Sequence, residues 1–524
     1  MFNSCAFKLV LMATTILLIS SINSIAQDGS LDQTFGVGGK VTKRVASYQA
    51  EAQSLVVQKD GKIVVVGYRE NLDNDIVIVR YNENGSLDTT FDHDGIVTTT
   101  VFRYQYCKAY SIVLQTDGKL LVSGFSSFGN NLIIVLLRYN VNGSLDTSFN
   151  HSGIVTLAIG SYSTHIYSMA LQRDGKIVVT GDTQTSINDM DVLVVRFNID
   201  GTLDKSFDTD GIVITDIGNF IDICHSIVIQ EDGKILVAAN KFADLNVSLI
   251  VMLRYNSNGS LDTTFDHDGM LNTNIGFGGI PWTPSNITMV QNDQKIILLG
   301  KREIGNDAYN LLVRYNANGS IDSTFGVDGY VVSAVRETGY RENFYALNLQ
   351  RDGKILAVGR RIVDTIGFFL IIRYNKNGSI DESFGEEGKA ITNFGNAYEL
   401  VRAAAIQNDD KIILVGSIFE GNDHFALARF NNTITGTINV GDKDNMFNIF
   451  PNPIHTFASI HINSSLNSGT LCIYNMLGNK MRTIEHIFGQ TITIQREQLA
   501  AGFYLIQLTE GARVIGEKII EIVD

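Results

Sequence analysis

The sequence predicts an all-β chain, a seven-bladed β-propeller with four antiparallel strands per blade, followed by a small β-sandwich. Three observations predict the propeller. First, three modules recur seven times each, in strict rotation. G-[ST]-[LI]-D-x-x-F begins at Gly29, Gly85, Gly143, Gly201, Gly259, Gly319 and Gly378. Q-x-D-x-K begins at Gln58, Gln115, Gln172, Gln230, Gln291, Gln350 and Gln407, and R-[YF]-N at Arg80, Arg138, Arg196, Arg254, Arg314, Arg373 and Arg429. Second, Gly-to-Gly spacings of 56 to 60 residues each hold four runs rich in Val, Ile, Leu, Thr and Tyr (IVTTTV, YSIVLQ, KLLVSGF and LIIVLLRYN in one period), bounded by Gly, Asp and Asn. Such runs read as strands, and Asp-Gly between two of them reads as a hairpin turn with both central residues able to take positive φ. Third, no segment of the period spaces its apolar residues as a helix does. Four short strands per repeat, repeated seven times, make a propeller.

A solenoid is the structural rival, but it needs atypical capping repeats and none is visible. The ends also favour a ring. The last R-[YF]-N, at Arg429, lacks its own G-S-L-D segment, while the N-terminus carries a spare one from Gly29 to Phe35. A closed ring lays that spare segment against the seventh blade and completes every module.

Arg precedes the module Gly by five residues in all six copies that have both, so this part of the repeat has one rigid geometry. The Gly supplies a positive-φ turn. The module Asp (Asp32, Asp88, Asp146, Asp204, Asp262, Asp322 and Asp381) bonds turn amides and receives the Arg, locking strand to loop by a charge-assisted bond. The Phe three residues later (Phe91, Phe149 and equivalents) plugs the space between neighbouring blades. FDHDG and FDTDG, with Asp92/Asp94, Asp208/Asp210 and Asp266/Asp268, are oxygen-rich in the way calcium loops are. They lack the EF-hand order with its distal Glu, and FNHSG and FGVGG lack the acidic pair, so structural turns are the stronger reading and calcium the weaker. The NGS sequons at Asn84, Asn142, Asn258, Asn318 and Asn377 fall inside these turns, which disfavours them as glycan acceptors.

Composition narrows the function. Charged residues are 18% and hydrophobic ones 44%, a globular balance. A net charge of −14 without any basic stripe excludes a nucleic-acid surface. Residues 1–26 read as a secretory signal peptide: Lys8, an apolar run from Leu9 to about Ile22, then Ser24-Ile25-Ala26. The run is too short to span a bilayer, and no later segment is apolar enough, so the expectation is no transmembrane segment. Of the four cysteines Cys5 falls in the signal peptide, and the three left, Cys107, Cys224 and Cys472, are odd in number and widely spaced, which argues against a disulfide framework or a zinc site. Residues 27–434 form the propeller, 435–444 (TGTINVGDKD) a linker and 445–524 the terminal domain.

The G-S-L-D-x-x-F, Q-x-D-G-K-I and R-Y-N-x-N-G rotation, from about Gly29 to Asn431, resembles the delta-60 repeat, a β-propeller repeat of secreted bacterial proteins with no assigned activity. From about Phe447 the repeats stop. Pro451-Asn452-Pro453, Asn475-Met476-Leu477-Gly478, Ala501-Gly502-Phe503-Tyr504 and a late Lys518 resemble a type IX secretion C-terminal sorting domain. That resemblance implies a small β-sandwich recognised by the type IX machinery, and a secreted or outer-membrane-surface address.

The Q-x-D-G-K and N-G-S-L-D links leave one face of the ring and are stereotyped; the links on the other face vary in length and content. Function sits on variable loops carried by a rigid scaffold. The candidate binding residues are therefore Arg103, Tyr104, Tyr106, Phe128, Trp282 (the only tryptophan), Arg341, Arg360, Arg361 and His424, aromatic and Arg being the residue types of binding hot spots. The same residues also suit packing under their own loops. No catalytic residue is assigned: there is no GxSxG elbow, HExxH helix, Walker loop or dinucleotide fingerprint. The expectation is a monomeric binding or adhesion module for an extracellular glycan or protein, without cofactor. The alternatives are a purely structural surface component or a polysaccharide-active or other hydrolytic enzyme, whose carboxylates would come from different blades and leave no linear motif.

Overall fold

The computed structural model describes residues 28–432 and 447–523, excluding 47–48, 71–73, 161, 187–188, 219–220, 245–246, 274–286, 292, 305–306, 335, 338–339, 396–397, 420–422, 451–453, 476–479, 497–498 and 511–512. The chain divides into two compact units, Met1–Ile434 and Thr435–Asp524. Every regular element among the described residues is a strand.

The first unit is seven antiparallel sheets. Blade 1 consists of Ala50–Val57, Ile63–Arg69, Asp75–Tyr81 and Ile96–Thr99, from the hub outward, and blades 2 to 6 repeat this order. Blade 6 adds a short edge strand, Arg336–Glu337, beside its inner strand. The phase differs from the sequence reading in one respect. IVTTTV does not open a blade; Ile96–Thr99 is the outer strand of the blade begun in the preceding repeat. The N-G-S-L-D link therefore lies within a sheet, and the variable stretch VFRYQYCKA is the link between blades 1 and 2. The assignment of links to faces is unchanged, because two strands separate every pair of links on the same face.

Ring closure follows from this phase. Blade 7 supplies Tyr398–Ile406, Ile412–Phe419 and Asp423–Phe430 from the end of the repeats, and Lys40–Arg44 from the N-terminus is its outer strand. The strap before that strand is bonded alongside: Gly29 N donates to Asn431 O (2.8 Å), Asn431 N to Ser30 O (2.8 Å) and Asp32 N to Arg429 O (2.8 Å). Around the hub each inner strand neighbours the next, and the last meets the first.

The Q-x-D-G-K hairpins depart from the expected turn. Only the Gly is in the left-handed region (Gly118 φ 86°), while Asp117 accepts a bond from Lys119 N (3.1 Å). Gly118 N donates to Gln115 O and Gln115 N to Lys119 O, so the turn is right-handed and ends in a left-handed bulge residue. In blades 5 and 7 the left-handed position is held by Gln294 and Asp410 instead.

Packing is between blades. Phe91 is fully buried among Val64, Ile76 and Ile78 of blade 1 and Leu120, Val135 and Tyr139 of blade 2. Phe149 and Phe207 fill the next two junctions in the same way. Over each plug lies the predicted lock. Arg80 Nε meets Asp88 Oδ2 at 2.7 Å, and the same pair forms in every blade, ending with Arg429–Asp32 at 2.8 Å across the seam. The guanidinium carbon stands 4.4 to 4.6 Å above the Phe ring. Its other end crosses to the following blade, Arg80 Nη1 donating to Val141 O at 2.5 Å and Arg429 Nη1 to Glu83 O at 2.5 Å. The Lys of Q-x-D-x-K joins the same carboxylate (Lys62–Asp88 3.2 Å, Lys411–Asp32 3.1 Å). One Asp per repeat thus gathers a loop, two strands and a hairpin, and one Arg ties it to the next blade.

In the second unit five strands are paired as one sheet: Phe447–Phe450, Phe457–Asn475, Lys480–Gln495, Gly502–Glu510 and Arg513–Ile522. The long Phe457–Asn475 strand pairs Phe447–Phe450 through its first half and Gly502–Glu510 through its second, with register breaks between His461 and Leu471. The sheet folds over there around Ile460, Ile462, Leu471, Ile473, Ile494, Ile506, Leu508 and Ile520, which are all buried. Ile454 bonds to Glu521 and Val523, joining the start of the domain to its last strand.

Candidate functional site

Each inner strand whose pairing is described in full carries a bulge three to five residues in from the variable face. Pairing breaks between Ala52 and Ser54, Ala109 and Ser111, Ile166 and Ser168, Cys224 and Ser226, Phe344 and Ala346, and Val401 and Ala403. The extra residue is Gln53, Tyr110, Tyr167, His225, Tyr345 or Arg402. Glycine on the second strand makes room for the bulge in five of these blades, with Ala239 in its place in blade 4: a Cβ at Gly124 would lie 2.0 Å from Lys108 O, and one at Gly67 1.9 Å from Glu51 O. A bulge re-aims its side chain. Here each re-aimed residue is half-buried and directly follows a buried one, and several of them converge across blades. Tyr110 and Tyr167 meet edge to face at 5.5 Å, Tyr167 and His225 lie 6.5 Å apart, and Arg402 lies 5.9 Å from Tyr345.

A second tier surrounds them on the variable-face side. Arg402 Nη2 pairs with Glu51 Oε2 at 3.0 Å, and Gln53 donates to the same oxygen at 3.0 Å. Lys108 donates to Tyr68 Oη (3.0 Å) and stands over the rings of Tyr68 and Tyr106. Phe125 packs on Tyr110 (5.3 Å) and, edge on, against His165 (5.0 Å). His165 Nδ1 is 2.7 Å from Asp182 Oδ1, and burial raises the Asp182 carboxyl. Burial holds His225 down to about 4, so it is neutral, and burial raises the Tyr68, Tyr110 and Tyr167 hydroxyls, with the Glu51 or Asp182 charge adding to it. The hub is therefore an aromatic surface with a few fixed charged and amide groups.

The sequence candidates fall into several places and do not form one site. Arg103 and Tyr104 are exposed on the link between blades 1 and 2, and Phe128, also exposed, meets Phe102 of that link at 5.3 Å. Tyr106 turns inward to the hub, stacking with Phe125 at 6.3 Å. Arg360 reaches the hub as well: it donates to Tyr398 Oη at 2.5 Å and lies 5.9 Å from Tyr345. Arg361 is held by Glu342 (2.5 Å) and lies over Tyr340, at a cleft of about 770 Å³ on the flank of blade 6. Arg341 is exposed and pairs with Arg336 in the short edge hairpin. His424 is half-buried in blade 7, opposite Ile418 and Arg44. Trp282 lies outside the described residues, as do Pro451, Asn452, Pro453 and Gly478. Gly502, Tyr504 and Lys518 sit on the last two strands, with Tyr504 donating to Ala500 O at 3.0 Å. The sequence reading missed the hub tyrosines and Arg402. Their signal was present: each stands five residues before the module Gln, but as Gln, Tyr, His or Arg, so no motif forms.

A family described as a domain of unknown function (DUF5122) β-propeller matches at residues 58–91, 115–149, 172–207, 230–265, 291–325, 350–384 and 407–437. This chain is a DUF5122 β-propeller protein. A secretion system C-terminal sorting domain matches at residues 448–522, so the propeller is exported by type IX secretion to the cell surface or beyond. No helix among the described residues is long and apolar enough to cross a membrane. No curated protein matches the chain. Solved structures similar to it include polysaccharide lyase Uly1 (10% identity, 73% of this chain and 90% of that one, TM-score 0.43). Drosophila Semaphorin 2a (7%, 95% and 99%, TM-score 0.43) is another. A third is the β-propeller domain of the Trilobed protease from Pyrococcus furiosus (10%, 71% and 96%, TM-score 0.40).

Proposed function

We propose that this DUF5122 propeller is an extracellular binding module whose ligand is a glycan, docked on the variable face over the hub. The N-terminal signal at 1–26 starts its export and the terminal domain completes it, and the ring, closed within one chain, acts as a monomer. One observation carries the reading: three successive blades present Tyr110, Tyr167 and His225 through equivalent bulges, with Arg402, Glu51 and Gln53 beside them. Aromatic faces take the apolar side of a sugar ring, and fixed charges and amides take its hydroxyls.

A glycan array followed by titration calorimetry tests it. A Tyr110→Ala, Tyr167→Ala double variant weakens the best glycan by about tenfold or more, some 1.4 kcal/mol. Undiminished binding by that folded variant refutes the hub as the site. The His165–Asp182 pair favours a second reading, since a buried carboxylate orients an imidazole for proton transfer beside Tyr167. Turnover of a bound polysaccharide, abolished by His165→Gln, would establish it.

A further inference from the structure

A different junction carries its own chemistry. Among the described residues one group of three acids has its ligand oxygens within 4.8 Å of one another: Asp191, Asp216 and Asp222. Asp191 lies on the third strand of blade 3 (Asp189–Phe197), Asp216 follows that blade's outer strand (Ile212–Thr215), and Asp222 opens the inner strand of blade 4 (Asp222–Ile229). The group therefore bridges two blades at the variable face, where a Met190–Ile221 bridge pins the link between them.

Two further observations point to a missing positive charge. Asp222 has no exposed surface and Asp191 only 5%, yet Oδ1 of each is buried without a hydrogen-bond partner. Asp222 Oδ2 takes Ile217 N (3.0 Å) and Asp191 Oδ2 takes Thr185 Oγ1 (2.7 Å), so both carboxylates are half satisfied. The adjacent Asp189 also has a buried, unpartnered Oδ1. Lys241 pairs in register with Asp222 and its charge acts to lower the Asp222 carboxyl, but it forms no ion pair within 4 Å of Asp222 among the described residues.

The second observation is internal to the repeat. Asp75 occupies the Asp191 position in blade 1, where Arg69 (2.9 Å) and Thr100 (2.5 Å) satisfy it. In blade 3 those two partners are replaced by Thr183 and Asp216. Glu342 occupies the Asp222 position in blade 6, and Arg361 holds it at 2.5 Å. Blades 1 and 6 thus pair an acid at one of these positions with an arginine, and blade 7 sets Glu399 at the Asp222 position opposite Ile418, with Phe394 N donating to it. Blade 3–4 has acids at both positions, with Lys241 where blade 6 has Arg361. Carboxylates this close cannot all ionise without a cation, and an oxygen-only donor set suits a hard one.

We infer that Asp191, Asp216 and Asp222 bind one divalent cation, calcium by preference, which clamps blade 3 to blade 4.

Calorimetric titration of calcium chloride into the chelator-treated protein at pH 7 tests this. The expected result is one site, in the range of about 0.1–1 mM typical of extracellular calcium modules. Asp222→Asn and the exposed-site variant Asp216→Ala each weaken it by about tenfold or more, whereas Asp94→Ala in a FDHDG turn leaves it unchanged. No saturable binding at about 10 mM, tenfold above that range, overturns the inference. So does undiminished binding in a folded Asp216→Ala protein.

Discussion

Replacing Asp32 by Asn perturbs the seam of the ring and nothing else. Asp32 is buried, and its carboxylate receives Arg429 Nε (2.8 Å), Lys411 Nζ (3.1 Å), Thr34 N (3.0 Å) and Thr34 Oγ1 (2.7 Å). Asn keeps the oxygen that Thr34 uses, but turns an NH₂ donor toward two cationic donors. Arg429, itself 2% exposed, is left without its countercharge. Removing one partner of a buried pair costs about 3–5 kcal/mol. Asp204→Asn removes the same set of contacts, with Arg196, Lys176 and Ser206, at an ordinary junction, so the local cost is equal. The distribution of the damage differs. Asp204 lies on a link whose two ends both continue into strands of one sheet, whereas Asp32 lies on a strap that runs into a strand only at Lys40–Arg44 and is otherwise held by its bonds to Arg429 and Asn431. Urea unfolding of both variants should show losses of about 3–5 kcal/mol. Hydrogen exchange should then show lost protection at Asp32, Asn431 and Gly29 amides in Asp32→Asn, with blades 2 to 5 unchanged. A loss below about 1 kcal/mol, the value of a surface pair, would refute the lock as a buried interaction. Protection lost evenly around the ring would refute the seam as a local opening.

Two other outcomes are expected. Phe149→Ala, at a fully buried plug, should cost about 3–5 kcal/mol in denaturant unfolding, and Val141→Ala on the exposed turn nearby under about 0.5. Acid should unfold the ring in a defined window. Burial raises the Asp32, Asp88 and Asp381 carboxyls, but bonds from Thr or Ser, Lys and Arg outweigh it and hold them at about 2. A folded value below the unfolded one gives stability that is present above about pH 4 and is lost as pH falls toward 2. Each group contributes up to about 2 kcal/mol, so the urea midpoint should drop steeply below pH 4, and Asp88→Asn should flatten that drop.

Much of this was legible in the sequence, for particular reasons. The Arg–Asp lock could be read because both residues are invariant across repeats at a fixed spacing, which only one geometry satisfies. The spare N-terminal module could be matched to the module missing after Arg429 by counting alone. The third member of the lock, Lys62 and its equivalents, escaped because it stands on a hairpin remote in sequence from the Asp it meets. The phase of the blades escaped because IVTTTV is adjacent in sequence to the next blade and adjacent in space to the previous one. The hub escaped for the opposite reason to the lock: its position is fixed but its chemistry is not. Tyr, His, Gln and Arg at one site carry no pattern until a bulge is seen to aim them together.

Because every repeat lends its outer strand backward, no repeat is a self-sufficient blade, and the gene's unit and the fold's unit are out of step by one strand. A tandem duplication or loss of one period would hand each remaining strand a partner of the same kind. The two unmatched ends, Gly29–Arg44 and the strands from Tyr398 to Phe430, would still fit one another. Such a chain could change the circumference of its ring without redesigning the joint that closes it.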